Sequence, residues 1–171
     1  MTFIRRTMFA LAGSLALTVS AAANDYPSKA IDYIIPFGKA KVRRRGSACT
    51  ALTYALTVPM TIEAAEETGI DAEVIDLRTL DPLGLDWETI EASVRKTGRL
   101  VIVEQTTRGT SIGAHISKAA QERLFDWLDH EILHVSGTHS SPVVSKVLEE
   151  AQLARKTDVV RGLRAIMGEA V

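Results

Sequence analysis

Residues 130–139 read HEILHVSGTH and contain the string H-E-x-x-H, which in helical metalloproteases supplies two zinc-binding histidines and a general base. On a helix, His130 and His134 would lie on one face about 6 Å apart, close enough to share one zinc ion. On a strand they would also share a face, but about 13 Å apart. Whether Glu131 and the two histidines form a metal site therefore depends on the secondary structure of this stretch.

Three features of the sequence favour a strand here and argue against zinc. The extended metzincin pattern places two residues between a glycine and the third histidine, whereas Thr138 alone separates Gly137 from His139. The run ILHV ends at Ser-Gly, as a strand ends at a turn. The alternation of elements along the chain also requires a strand at this point. The leucine spacing before the run would continue a helix, so a zinc hydrolase stays open as the least favoured alternative.

Other residues with chemical potential stand at the ends of predicted elements. The loop RGTSIG (108–113) could bind phosphate through backbone N–H groups, but it lacks the Walker lysine and the G-x-G-x-x-G spacing, which favours a simple loop and helix cap. Asp76 and Glu104 end strands, where ligands often bind in open α/β sheets. Cys49 is expected to be a small core residue and His115 an exposed one. No catalytic, cofactor-binding or metal-binding residue is assigned from spacing alone.

Composition describes an ordinary globular domain. The chain has 171 residues, of which 46% are hydrophobic and 24% charged, enough for one domain with its own core. A net charge of −1 and an aromatic content of 5% argue against nucleic acid or an anionic membrane as partner. Cys49 is the only cysteine, which excludes an internal disulfide and a C-x-x-C pair.

The first 23 residues differ in kind from the rest. MTFIRR is basic, TMFALAGSLALTV is apolar, and SAAA supplies small residues before Asn24. This order predicts a secretory signal peptide over residues 1–23, with an apolar stretch too short to span a bilayer. Cleavage after Ala23 would remove two arginines and no acids, which changes the net charge from −1 to −3.

Strands and helices are predicted to alternate after residue 38. Apolar runs predict strands over 49–56, 72–77, 99–104 and 131–135, and the charged stretch 41–46 an edge strand or an arm. Helices are predicted to start at Pro59, Asp86, Ser111, Pro142 and Thr157, with Gly69 and Gly98 closing the first two. This alternation predicts an α/β fold, a three-layer α/β/α sandwich with a mainly parallel sheet.

Most of the chain resembles one known family. The stretches YIIPFGKAKVRRRGS, GIDAEVIDLRTLDPLGLDWETIEASVRKTGRLVIVEQ and SSPVVSKVLEEAQLARKTDVVRGLRAIM are similar to the C-terminal domain of the transketolase family. More narrowly, they resemble the β subunit of the thiamine-dependent component of 2-oxo-acid (pyruvate, branched-chain or acetoin) dehydrogenases. The resemblance implies the same sandwich fold and makes residues 130–137 a strand. His115 stands where that family has an acidic residue, and Ala48 where it often has one.

The resemblance implies a non-catalytic part of an oxidoreductase. In the parent family, thiamine diphosphate and magnesium are held by the β subunit's N-terminal domain and by the α subunit, so this chain alone is expected to bind no cofactor. The implied partners are a second β subunit, an α subunit and the acyltransferase core. The expected function is that of an isolated assembly domain, which cannot decarboxylate a 2-oxo acid alone.

The first 38 residues resemble a different family, the exported substrate-binding proteins of tripartite tricarboxylate transporters, through DYPSKAIDYIIPFG. The expected organisation is a signal peptide (1–23), a junction (24–38) and a transketolase C-terminal-like domain (39–171). The alternatives are an exported small-carboxylate binding fragment and a non-functional gene fusion. The two resemblances disagree on localisation, since the signal predicts the periplasm and the parent family is cytoplasmic.

Overall fold

The computed structural model describes residues 37–138 and 143–169, and these form one α/β unit. By its internal contacts the chain divides into Met1–Ile34 and Ile35–Val171, and all of the described residues belong to the second unit. The expected signal peptide and most of the expected junction lie outside the described residues.

A five-stranded sheet with the order β1-β3-β2-β4-β5 forms the centre of this unit. The strands are β1 (Lys41–Arg44), β2 (Cys49–Thr53), β3 (Ala72–Asp76), β4 (Leu100–Val103) and β5 (Leu133–Val135). β1 pairs with β3 in the antiparallel direction, and the other three pairings are parallel. The charged stretch 41–46 therefore supplies an edge strand, and the predicted mainly parallel sheet is confirmed.

Helices cover both faces of the sheet. They are α1 (Thr57–Thr68), α2 (Trp87–Thr97), α3 (Ile112–Leu124), α4 (Lys146–Gln152) and α5 (Lys156–Ile166), with a 3₁₀ turn at Phe125–Trp127 after α3. One apolar core joins the sheet to α2 and α3, and includes Leu52, Ile90 and Ile116. A second core, on the opposite face, joins it to α1 and α5. Strands β2, β3 and β4 are buried throughout and are mostly apolar, with Glu73 and Asp76 of β3 as buried charged residues. The predicted three-layer sandwich is confirmed.

Helix ends follow the capping chemistry of the sequence at four predicted positions. The Asp86 carboxylate accepts from Thr89 N–H at the start of α2, and the Ser111 hydroxyl accepts from Ala114 N–H at the start of α3. Gly69 and Gly98 end α1 and α2 with φ of 69° and 67°, in the left-handed region that favours glycine.

Several element boundaries differ from the prediction. The first strand ends at Thr53 instead of residue 56, because Ala55 adopts a φ of 50° and turns the chain into α1, which begins at Thr57 rather than Pro59. Helix α4 begins at Lys146, after the N-cap Ser145, whereas the predicted start, Pro142, lies outside the described residues.

The last helix starts earlier than predicted. Thr157 is not the N-cap of α5, because Arg155 occupies that position and its N–H donates to the Asp158 carboxylate at 2.9 Å. Within residues 37–138 and 143–169, no helix is long and apolar enough to cross a membrane.

Candidate functional site

The H-E-x-x-H string does not form a helical metal site. His134 lies in β5, and His130 and Glu131 precede that strand in extended or bent backbone. The two histidines also have different partners, since the His130 ring contacts the Glu131 carbonyl and the His134 ring contacts Glu104. Among the described residues, no three His, Cys, Asp or Glu side chains are grouped to hold a metal ion.

A group of polar contacts around one buried carboxylate lies at the carboxyl ends of β2 and β4 instead, beside β5. Glu104 follows β4 directly and its side chain is fully buried. Its Oε1 lies 2.6 Å from Nε2 of His134, and its Oε2 accepts from the hydroxyl of Tyr54 at 3.0 Å and from the N–H of Gly113 at 3.1 Å. Four segments of the chain therefore meet at one carboxylate. We refer to Tyr54, Glu104, Gly113 and His134 as the Glu104 cluster.

Sequence position explains why the charge is buried. The chain of β4 continues to pair with β5 at this point, because Glu104 N–H donates to the Val135 carbonyl at 3.0 Å. The side chain therefore stays within the layers, on the face that α3 covers. Burial of an unpaired carboxylate would cost several kcal/mol, and here hydrogen bonds to the ionised form offset that cost.

Helix α3 supplies part of this compensation. Gly113 lies in its first turn, where N–H groups lack partners within the helix and the helix dipole favours negative charge. A Cβ atom at Gly113 would lie 2.6 Å from Glu104 Oε1 and 2.7 Å from His134 Nε2. Glycine is therefore required by the close approach of the helix to the carboxylate.

The electrostatics of the cluster favour an ionised carboxylate. Burial alone would raise the pKa of Glu104, but the hydrogen bonds from His134, Ser111 and the Gly113 N–H outweigh it, and the pKa lies below its ordinary value. Burial, followed by the charge of Glu104, raises the pKa of Tyr54, so the phenol stays protonated and donates. Since an ionised carboxylate only accepts, His134 carries a proton on Nε2.

The cluster fills the crevice in which open α/β sheets commonly bind ligands. That crevice lies at the carboxyl ends of neighbouring strands whose following helices cover opposite faces, here β2 with α1 and β4 with α3. The hydrogen bond between Tyr54 and Glu104 spans this crevice, so protein side chains occupy it. What remains beside Tyr54 is a cavity of about 140 Å³, which is smaller than the roughly 300–1,000 Å³ of typical cofactor sites.

The other candidate residues have structural surroundings. Asp76 pairs with Arg43 at 3.2 Å, so the two strand-end carboxylates have different partners. Cys49 is buried, as expected, and burial raises the pKa of its thiol to about 11. His115 is exposed, also as expected. The loop 108–113 caps α3 through Ser111, as expected, and its Gly113 N–H is bound to Glu104.

Sequence reasoning named Glu104 and His134 separately and missed their contact. It also missed Tyr54, which lies 50 residues from Glu104, and it named Gly113 only as part of the loop 108–113 and not as a partner of Glu104. The available signal was a charged residue at the end of LVIVE, the most apolar strand of the chain.

Comparison with known proteins shows which family this domain belongs to. Residues 38–159 match the model of the transketolase, C-terminal domain. Pyruvate dehydrogenase E1 component subunit beta of Rickettsia felis is 40% identical over 135 residues, which cover 77% of this chain and 41% of that protein. The 2-oxoisovalerate dehydrogenase subunit beta of Pseudomonas aeruginosa is 49% identical over 105 residues, which cover 61% and 29% respectively. The chain therefore spans less than half the length of these relatives.

A solved structure shares the fold. "Split gene transketolase, inactive beta4 tetramer" superposes with a TM-score of 0.63 at 24% identity, over 82% of this chain and 45% of that one. None of these matches supports the resemblance of residues 1–38 to transporter binding proteins, and the gene fusion stays a prediction.

Proposed function

The chain belongs to the transketolase C-terminal domain family, and on that premise we propose that it is the non-catalytic assembly domain of a 2-oxo-acid dehydrogenase β subunit. The observation that carries the proposal is the pair of matches, at 40% and 49% identity, to β subunits of a pyruvate and a 2-oxoisovalerate dehydrogenase. The proposed role is to pair with a second β subunit or with an α subunit, and to help dock the acyltransferase core.

The chemistry of the described residues supports a non-catalytic role. The first-turn Gly113 N–H, which could bind a phosphate, already binds Glu104, and Glu104 is too deeply buried to reach a substrate. Among the described residues, no three His, Cys, Asp or Glu side chains are grouped as a metal site. We therefore assign cofactor binding and the reacting groups of the proposed complex to other domains or subunits, and derive no step of the reaction from this chain.

Two measurements test this function. The purified chain, supplied with thiamine diphosphate, magnesium and pyruvate or a branched-chain 2-oxo acid, is expected to show no decarboxylation. Turnover that depends on thiamine would contradict a non-catalytic role. In the second measurement, light scattering after gel filtration follows the mass of the chain mixed with an α subunit or with an intact β subunit. A complex of defined stoichiometry is expected, and failure to associate with either subunit would contradict an assembly role.

We also propose that the N-terminal segment directs export, on the strength of its basic, apolar and small-residue order. Cell fractionation with an antibody against the domain tests this. Recovery from the periplasm with a chain that starts at Asn24 is the expected result, and recovery of the uncleaved chain from the cytoplasm would contradict it. Replacement of Arg5 and Arg6 by Gln provides a variant in which export should fall.

A further inference from the structure

Among the residues that the structure describes, strand β5 lies at the margin of the sheet and pairs with β4 alone. The Val135 carbonyl and the Gly137 N–H both point towards that neighbour, since they bond Glu104 N–H and the Thr106 carbonyl. Backbone groups along a strand alternate in direction. The N–H and C=O groups of His134 and Ser136 therefore point away from the sheet, towards the position that a sixth strand would occupy.

A cation lies against this edge. The Nη2 of Arg108 donates to the outward carbonyl of His134 at 3.3 Å. Arg108 is exposed, and in the described part of the chain it forms no ion pair with a carboxylate. Its positive charge is therefore available to an incoming acidic group.

The edge forms one wall of a groove of about 320 Å³. The groove is lined by Arg108, residues 133–136 and one face of α5, which includes Asp158 and Arg161. Arg161 pairs with Asp158 at 2.8 Å. Of the two arginines that line the groove, Arg161 is therefore paired with a carboxylate, whereas Arg108 has no such partner among the described residues.

We propose that this groove binds an extended acidic peptide segment of another protein, which adds to β5 as a sixth strand. Outward backbone groups of His134 and Ser136 supply the hydrogen bonds of strand addition, as in other sheets that bind peptides by their edge. Arg108 exchanges its carbonyl contact for a carboxylate of the peptide, since guanidinium–carboxylate bonds are stronger than those to a neutral acceptor. The inference does not depend on the proposed assembly role.

Fluorescence anisotropy of labelled peptides with the full chain tests the proposal. The probe is a short peptide of alternating Glu and Val, and two matched peptides serve as controls. One carries N-methyl groups on alternate backbone nitrogens, which keeps the charge and removes strand pairing, and the other carries Lys in place of Glu. Each control is expected to bind roughly tenfold more weakly or worse, the size expected for loss of charge-assisted or backbone hydrogen bonds. Equal binding of the N-methylated peptide would overturn strand addition.

Protein variants locate the site. Arg108→Gln is expected to weaken binding of the acidic peptide roughly tenfold, whereas Arg45→Gln, which removes an exposed charge in the loop between β1 and β2, should leave it unchanged. Hydrogen exchange should show that the peptide protects the His134 and Ser136 amides. The proposal would be overturned if the two variants lost equal affinity or if the peptide protected another surface. It would also be overturned if the chain self-associated with increasing concentration and a second copy occupied the β5 edge.

Discussion

Glu104 Oε1 and His134 Nε2 lie 2.6 Å apart, although 30 residues separate them in the sequence. The contact joins the residue that follows β4 to the central residue of β5, and the same carboxylate also binds the first turn of α3. Groups at this end of a parallel sheet often act on ligands. Here they bind one another, so their main contribution is to the stability of the domain.

Replacement of Glu104 by Gln should destabilise the domain. The amide keeps the shape but loses the charge, and one of its two positions becomes a donor that faces Tyr54 O–H, Gly113 N–H or His134. We expect a loss of about 1–3 kcal/mol in the free energy of unfolding, the usual range for hydrogen bonds to charged groups. Urea unfolding measures it. Glu66→Gln, on the exposed face of α1, is the matched control, and equal stability of the two variants would contradict the role given to Glu104.

The stability of the domain should fall in mild acid. Hydrogen bonds hold the pKa of Glu104 below 4.5 in the folded state despite burial, which acts to raise it. The unfolded chain therefore binds the proton first as the pH falls. The contribution of Glu104 is complete above pH 4.5 and is lost as the pH drops through the folded pKa. Thermal unfolding between pH 7 and pH 3 should show a shallower decline in Glu104→Gln, and parallel curves would contradict this assignment.

Gly113→Ala should be destabilising although alanine favours helices. The added Cβ would lie 2.6 Å from Glu104 Oε1 and 2.7 Å from His134 Nε2, so either α3 or the carboxylate must move. Overpacking of this kind costs about 1–3 kcal/mol. Ser117→Ala, in the same helix, controls for helix propensity and should change stability by less than about 0.5 kcal/mol. A stabilised Gly113→Ala variant would show that the helix can shift freely.

Asp86→Ala should weaken α2 and its contact with the chain before β1. The Asp86 carboxylate accepts from Thr89 N–H and also from Ala40 N–H, at 3.0 Å. Loss of a helix N-cap costs about 1 kcal/mol, and the orphaned Ala40 N–H adds to that loss. Chemical denaturation measures the change, with Asp126→Ala, an exposed aspartate in the 3₁₀ turn, as the comparison. A change no larger than that of Asp126→Ala would contradict the double role.

The fold was largely predictable because its signals are local. Buried parallel strands read as apolar runs, and the caps at Asp86 and Ser111 and the glycines at 69 and 98 depend only on neighbouring backbone. The helix starts that were predicted wrongly lie where two neighbouring residues both suit the start of a helix. Pro59 suits the first residue of a helix and Thr157 suits an N-cap, but the turn at Ala55 starts α1 two residues earlier, at Thr57. The carboxylate of Asp158 likewise places the N-cap of α5 two residues earlier, at Arg155.

The cluster was less predictable because its contacts are distant in sequence. Glu104 could be named as a strand-end residue, but its contact with Tyr54 depends on β2 and β4 being neighbours. Similarly, His134 first drew notice as half of a metal motif, and only the pairing of β5 with β4 brings it to Glu104. Strand order decides both contacts, and no local pattern encodes it.

A three-residue edge strand such as β5 would ordinarily fray independently of the rest of a domain. Here the opening of β5 would remove His134 from Glu104 and leave a buried charge with fewer partners, which is costly. Local opening of β5 therefore costs a hydrogen bond to the buried Glu104 carboxylate. Amide exchange at Leu133 and Val135, whose N–H groups face β4, should then be slow and cooperative, as in interior strands, although β5 has only three residues.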